Sequence, residues 1–288
     1  MNKIGLPDSP VKSPAANYCE PHRIPTDFVN GILTRLISVE LYLCPEHRSR
    51  LLARGLSAAE IESNRYASAP ATRAERERVA DALAPYLDAF GGGVPGFYHD
   101  GRRWRMVYAA HGFLIPARDE YGRVQALACR LDDARDGCKY IWLSSNPETV
   151  DGAKRQRYPR GASSGSPVHF ANRPALWGAE ELTVVEGTLK ADVCAALSGL
   201  PVVGVAGVNN TRGLAARLRA NLPRLRRVVV AYDKDVLEKA QVASALKRLI
   251  TQLEAERFTV RVLMWPGESK GFDDYLFSQL SGREVTTA

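Results

Sequence analysis

The sequence predicts an α/β protein whose C-terminal part is a mainly parallel sheet with helices on both faces. Between Ala179 and Leu280, short apolar runs alternate with helix-patterned segments. Strands are expected at 182–185, 201–205, 228–232 and 259–264, and helices at about 189–198, 213–221, 237–256 and 273–280. Such alternation implies right-handed β-α-β crossovers and hence parallel strands. In addition, Leu182-Thr183-Val184-Val185 halts at Glu186-Gly187, and Val228-Val229-Val230-Ala231-Tyr232 ends on Asp233-Lys234-Asp235. Both runs deliver acids to the edge of the sheet where strands stop and helices begin, which is where open α/β sheets collect ligands.

The preceding part has a different texture. Residues 1–16 are rich in Pro, Ser, Asn and Lys without periodicity, and read as a flexible arm. Phe28, Ile32, Leu33, Leu36 and Ile37 fall at helical spacing over 27–43, and a second helix is expected over 46–53. Ser57 and Glu60 spell a capping box for a third, and an amphipathic helix over 71–90 closes on Gly91-Gly92-Gly93. Strand-like runs follow at 94–98, 104–107, 112–118, 124–130 and 139–145, separated by Gly- or Asp-bearing turns. Residues 146–173 form a long polar connection with Lys154, Arg155, Arg157, Arg160 and Arg173 near Tyr158, His169 and Phe170. This segment reads either as a single-stranded nucleic-acid track, where cations follow phosphates and rings stack on bases, or as a solvated linker. The expected organisation is an arm (1–16), a helical entry with a β-rich basic domain and basic linker (17–173), and the α/β domain (174–288).

Composition narrows the function. The chain of 288 residues carries 39 Lys and Arg against 32 Asp and Glu, a formal charge of +7 that leans towards a polyanionic partner. No apolar run has the length of a membrane span and no signal-peptide core is visible, so a cytoplasmic, soluble protein without a membrane partner is expected. The five cysteines show no disulfide framework. Gly161 to Gly165 lacks the Gly-Lys-Ser/Thr of a phosphate loop, and no nucleophile pattern supports acyl transfer.

If the strands ending at Glu186 and Asp233-Lys234-Asp235 are neighbours, three carboxylates meet at one rim. They then need protons, cationic side chains or a divalent metal to coexist. Oxygen-only ligands suit Mg²⁺ or Mn²⁺, and phosphoryl transfer is the chemistry most often built on them. Lys270, Asp273 and Asp274 follow the last strand and belong to the same rim.

Glu186-Gly187 followed by Asp233-x-Asp235 on alternating β/α units resembles the Toprim fold of bacterial primases, topoisomerases, RecR-type repair proteins and overcoming-lysogenization-defect nucleases. With Glu186-Gly187-Thr188-Leu189-Lys190-Ala191-Asp192, Gly204-Val205-Ala206-Gly207 and Lys270-Gly271-Phe272-Asp273-Asp274, the C-terminal part is similar to the DUF3854 branch found in plasmids, phages and integrative elements. Upstream, Val94-Pro95-Gly96-Phe97-Tyr98, Leu114-Ile115-Pro116-Ala117-Arg118-Asp119 and Lys139-Tyr140-Ile141-Trp142-Leu143-Ser144 resemble the basic domain of the DnaG-type primase core. The resemblance implies a metal-dependent primase-like nucleotidyltransferase using single-stranded DNA and nucleoside triphosphates, with a separate replicative helicase as partner. It implies Glu186 as general acid/base or metal ligand, and Asp233, Asp235, Asp273 and Asp274 as metal acids. Lys190 and Lys270 are typical of the branch; a lysine there either neutralises the acids in the metal-free state, holds a triphosphate, or is a plain exposed helix residue. Nucleic acid would be gripped by Arg118, Arg130, Lys139, Lys154, Arg155, Arg157 and Arg160.

The primase-type zinc ribbon is not visible, and the helicase-docking domain is not expected after the Toprim part. Cys19-x-x-His22 and Cys44-x-x-His47 spell a zinc set on paper, but Cys44-Pro45 reads as a helix start, so zinc is not expected. A Toprim nuclease and a non-catalytic nucleic-acid-binding accessory factor are the alternative functions.

Overall fold

The computed structural model describes residues 26–107, 111–135, 137–147, 157–234 and 240–284; the expected arm lies outside them. Helix α1 (Thr26–Arg35) runs into a π-helical turn, Leu36–Glu40, and together they bury Ile32, Leu33, Leu36 and Ile37. The helix stops short of the expected residue 43 because Leu41 takes an extended backbone. Helix α2 (Pro45–Leu52) starts at Pro45 after an N-cap at Cys44, as expected for a residue with no amide hydrogen to satisfy. Helix α3 (Ala58–Asn64) opens on the capping box: Ser57 Oγ accepts from the Glu60 amide at 3.2 Å, and Glu60 Oε2 accepts from the Ser57 amide at 2.7 Å. Helix α4 (Arg73–Phe90) opens on the same device, built by Thr72 and Glu75. Among the described residues no single helix is long and apolar enough to cross a membrane.

The N-terminal part carries β1 (Ala67–Ser68), a hairpin of β2 (Phe97–His99) and β3 (Trp104–Met106), then β4 (Gly112–Arg118), β5 (Val124–Arg135) and β6 (Cys138–Trp142). Strands β1, β4, β5 and β6 form an antiparallel sheet in the order β1-β4-β5-β6. Because side chains alternate along a strand, β4 serves two cores. Leu114 packs with Leu33, Leu83 and Phe97 on one face, while Phe113 and Ile115 meet Leu51 and Ile61 on the other.

The second sheet contains β7 (His169–Ala171), β8 (Glu181–Glu186), β9 (Val202–Val205), β10 (Arg227–Val230) and β11 (Thr259–Val262), ordered β11-β10-β8-β9-β7. Pairings are parallel except β7 with β9. Strand β7 lies in the stretch expected to be a connection; at three residues it is too short for a periodic signal, yet His169 and Phe170 are buried. Helix α5 (Arg173–Leu176) follows β7. The other helices are α6 (Thr188–Ser198), α7 (Leu214–Asn221), α8 (Ala240–Ala255) and α9 (Phe272–Glu284). Leu182, Val184, Val203, Val228 and Val230 pack against Leu218 of α7 and Leu249 and Leu253 of α8. Val185, Val202 and Ala231 face Ala191 and Cys194 of α6 with Phe272 and Tyr275 of α9. The sheet is thus mainly parallel and covered on both faces, as expected.

The two sheets are joined through α6. Leu189 and Val193 enter the core formed by Leu51, Ile61, Phe113 and Ile115. Beside them lies a buried polar chain. His169 Nδ1 accepts from the Arg118 amide at 3.0 Å, so its proton sits on Nε2, which donates to Asp192 Oδ1 at 2.8 Å. The Tyr66 hydroxyl donates to Asp192 Oδ2 at 2.7 Å. Burial opposes the Asp192 charge, but His169, Tyr66 and Arg118 outweigh it and hold the carboxyl below its ordinary value.

His169→Ala removes the ring that spans both sheets and leaves Asp192 buried with fewer partners; urea denaturation should show a loss of about 3–5 kcal/mol. The stabilisation from ionised Asp192 is complete above the ordinary carboxyl value of 3.8 and is lost as pH falls through the lowered folded value. The stability gap between wild type and Asp192→Asn should therefore narrow in a denaturation series run below that pH.

Candidate active site

Strand β8 ends on Glu186, and Gly187 turns the chain into α6. One turn further, Lys190 reaches back over the rim and pairs with Asp233, which follows β10. Its Nζ also lies 3.8 Å from Oδ1 of Asp273, in the first turn of α9. From the other part of the molecule, Arg54 binds Oδ2 of the same Asp273. Asp273 is 2% exposed, and its Oδ1 has no hydrogen-bond partner among the described residues. Gly271 permits this crowding: a Cβ there would lie 2.5 Å from Asp273 Oδ1 and 3.1 Å from Lys190 Nζ.

The acids control the ionisation of their neighbours. Burial works against both cations, yet Asp273, helped by Tyr140 and Asp274, holds the Arg54 guanidinium above its ordinary value. Asp273 and Asp233 do the same for the Lys190 ammonium. Burial and then the charge of Glu186 raise the Tyr232 hydroxyl. Burial and Asp273 raise the Cys194 thiol, which is therefore inert as a nucleophile.

Glu186, Lys190 and Asp233 line a cavity of about 240 Å³ whose facing wall is Arg54, Tyr140 and Trp142. Tyr140 and Trp142 come from β6 and Arg54 from the end of α2, so both parts of the chain build it. The donors available to a metal are oxygens only, which suits a hard divalent cation. Among the described residues no three His, Cys, Asp or Glu side chains gather as a ready ligand set. Glu186 and Asp233 nonetheless fit Mg²⁺ or Mn²⁺, since Mg²⁺ commonly takes one or two protein carboxylates and fills its shell with water or substrate phosphate.

The sequence-derived residues divide as follows. Glu186, Lys190 and Asp233 come together, whereas Asp235 lies outside the described residues. Asp273, expected as a metal acid, has its carboxylate buried against Arg54 and Lys190, for which it is a counter-ion. Asp274 is exposed in the first turn of α9, where a carboxylate suits the helix dipole, and it does not line the cavity. Lys270 is exposed, and its carbonyl accepts from the Lys234 amide at 3.2 Å.

Arg118 is corrected from a nucleic-acid contact to an internal residue. It is 4% exposed, it donates to the Asn64 carbonyl at 2.8 Å, and burial lowers its guanidinium to about 10. Lys139 is exposed on β6, and the half-buried Arg130 places its guanidinium 5.5 Å from the centre of the Tyr140 ring. Arg157, 5.2 Å from the Tyr158 ring, and Arg160 are exposed. Lys154, Arg155, Cys19 and His22 lie outside the described residues. Both ring nitrogens of His47 are engaged, by Ser68 Oγ at 2.7 Å and Asp132 Oδ1 at 2.9 Å, while Cys44 caps α2.

Arg54, Tyr140 and Trp142 were not singled out from sequence. Arg54 is one arginine among many at a helix end, and β6 reads as an ordinary strand. Asp192 carried a usable signal: it and Lys190 are the only charges in the otherwise apolar α6, so each needs a partner.

Residues 179–282 match the family described as Domain of unknown function (DUF3854). A DNA primase of Listeria innocua is 27% identical over 167 residues, a stretch that is 57% of this chain and 23% of that protein. In fold, the chain is similar to the zinc-binding and RNA polymerase domains of the Aquifex aeolicus primase, with a TM-score of 0.64 and 17% identity over 92% of this chain and 61% of that one. A DNA primase domain from Pseudomonas aeruginosa gives a TM-score of 0.60 at 18% identity, covering 90% of this chain and 78% of that one. A DnaG primase catalytic domain bound to single-stranded DNA gives 0.58 at 19%, covering 88% and 77%. The acid rim lies inside the matched residues 179–282, and the chain as a whole is DnaG-primase-like in fold.

Proposed function

We propose that the chain is a metal-dependent, primase-like nucleotidyltransferase that extends a strand on single-stranded DNA template, in the replication of a mobile element or its host. The observation that carries this reading is the shared cavity. Glu186 and Asp233, from separate strands, face Tyr140 and Trp142 across it. The similarity to a DNA primase and to a DnaG domain bound to single-stranded DNA supports the same reading.

Glu186 and Asp233 would hold Mg²⁺ or Mn²⁺, which supplies charge stabilisation on the attacking 3′-hydroxyl and the leaving oxygen. Glu186 is also placed to accept a proton at the rim. Tyr140 is 40% exposed and backed by the Arg130 guanidinium, so it offers a template base a ring to stack on beside a cation for phosphate. Lys139, Arg157 and Arg160 are exposed and available to phosphate. Nucleoside triphosphates are the second substrate in this reading, and a separate replicative helicase is the expected protein partner.

Primer synthesis from labelled nucleotides on single-stranded DNA, with Mg²⁺ or Mn²⁺, is the direct test. Glu186→Gln and Asp233→Asn should each reduce synthesis by at least about 100-fold while leaving DNA retention unchanged. Cleavage of a labelled strand without synthesis would replace polymerisation with nuclease chemistry, and binding without turnover in either metal would leave an accessory factor. Tyr140→Ala should weaken single-stranded DNA binding by about 1–3 kcal/mol in fluorescence anisotropy at fixed salt. An unchanged affinity would remove this ring from the template path.

A further inference from the structure

We infer that Lys190 is a resident cation that takes the place of a second metal ion, so that the acid rim accepts a single divalent ion. The inference rests on the metal-binding reading of Glu186 and Asp233 and goes beyond it in fixing the number of ions and what limits it. Its basis is the position of the ammonium. Lys190 pairs with Oδ1 of Asp233 while its Nζ stands 3.8 Å from Oδ1 of Asp273, between two carboxylates on different elements. A bridging metal ion in a two-ion site would stand between carboxylates in the same way.

Asp273 supplies the second observation. It is 2% exposed, Arg54 takes its Oδ2, and its Oδ1 is aimed at the lysine with no hydrogen-bond partner among the described residues. A buried carboxylate oxygen of this kind requires a neighbouring positive charge. Gly271 is part of the same arrangement, since any side chain there would displace Asp273 Oδ1 or the Lys190 ammonium.

The charges of the described residues oppose a second ion. Among the described residues at the rim, Glu186, Asp233 and Asp273 carry three negative charges, and Lys190 and Arg54 return two, leaving a single net negative charge. One divalent ion already carries these groups past neutrality to a single positive charge, and a second would add its charge beside an ammonium and a guanidinium that Asp273 holds in place.

Mn²⁺ titration of the full chain, followed by calorimetry and by electron paramagnetic resonance, tests this without any turnover. Wild type and Lys190→Arg should bind one ion and show no spin-coupled manganese pair. Lys190→Met removes the charge at nearly constant length; it should gain a second ion or bind the first at least about tenfold more tightly, as expected when a like charge some 4 Å away is deleted. Its melting temperature should fall in chelator and be restored by Mn²⁺ by a larger shift than in wild type. Two ions in wild type, or a Lys190→Met variant identical to wild type in both ion binding and metal-dependent melting, overturn the role of the lysine and leave the metal reading standing. Absence of Mn²⁺ binding in both proteins overturns the metal reading itself, and the inference with it.

Discussion

Acids brought together at the rim of a parallel sheet cannot be buried without matching cations, and this constraint governs the rest of the molecule. Two like charges 4 Å apart repel by about 4 kcal/mol at the effective dielectric of a protein surface, a large part of a domain's net stability. One neutralising charge is local, since Lys190 lies one helical turn beyond Glu186-Gly187. The other is Arg54, far away in the chain, and its pairing with Asp273 ties the α2–α3 turn to α9. Gly55, next to Arg54, has a positive φ of 92°, and a Cβ there would lie 2.7 Å from the Phe277 ring, so the turn sits directly on the C-terminal helix. Electrostatic compensation and docking of the two parts are therefore the same event.

The position of β6 follows from this docking. Leu51, Ile61, Phe113, Ile115, Leu189 and Val193 form an apolar contact between the two parts, but apolar contacts tolerate sliding. The chain from Tyr66 through Asp192 and His169 to the Arg118 amide is directional, with a donor and an acceptor specified at each step. A second polar clamp joins the β4–β5 turn to α7, where Arg217 Nε donates to the buried Glu120 at 3.1 Å. These bonds fix one register of the antiparallel sheet against the parallel one. In that register Tyr140 and Trp142 face Glu186 and Asp233 across the cavity.

Sequence periodicity and capping made most of the fold readable. The strands at β8, β9, β10 and β11 and the helices between them fall within a few residues of the expected bounds, helped by clear stops: β8 halts at Glu186-Gly187, α6 closes on Gly199, and Asp233 follows β10. Strand β7 was missed for lack of length, and the end of α1 was misplaced because a π-turn keeps apolar spacing until the backbone turns extended. For the site, strand ends identified Glu186 and Asp233, but not which acids would be spent on cations. Asp273 comes after the last strand, in the first turn of α9, and its pairing with Arg54, a residue far away in the chain, has no local sequence signal. Arg118 failed for the converse reason: among many surface arginines nothing local marks the one whose amide and side chain are drawn into the contact between sheets.

The cavity also sets the size of the functional unit. The DUF3854 match spans residues 179–282, and Glu186, Lys190 and Asp233 lie inside it, but Arg54, Tyr140 and Trp142 do not. Without Arg54, Asp273 would keep a single cation neighbour, Lys190, already engaged by Asp233. Without β6 the rim would open to water, where charge interactions are weaker and a metal would compete with full hydration. A parallel sheet can bring acids to one edge, but the wall of Tyr140 and Trp142 that faces them comes from the antiparallel sheet that precedes it. The cavity therefore belongs to the contact between the two sheets rather than to the matched domain alone.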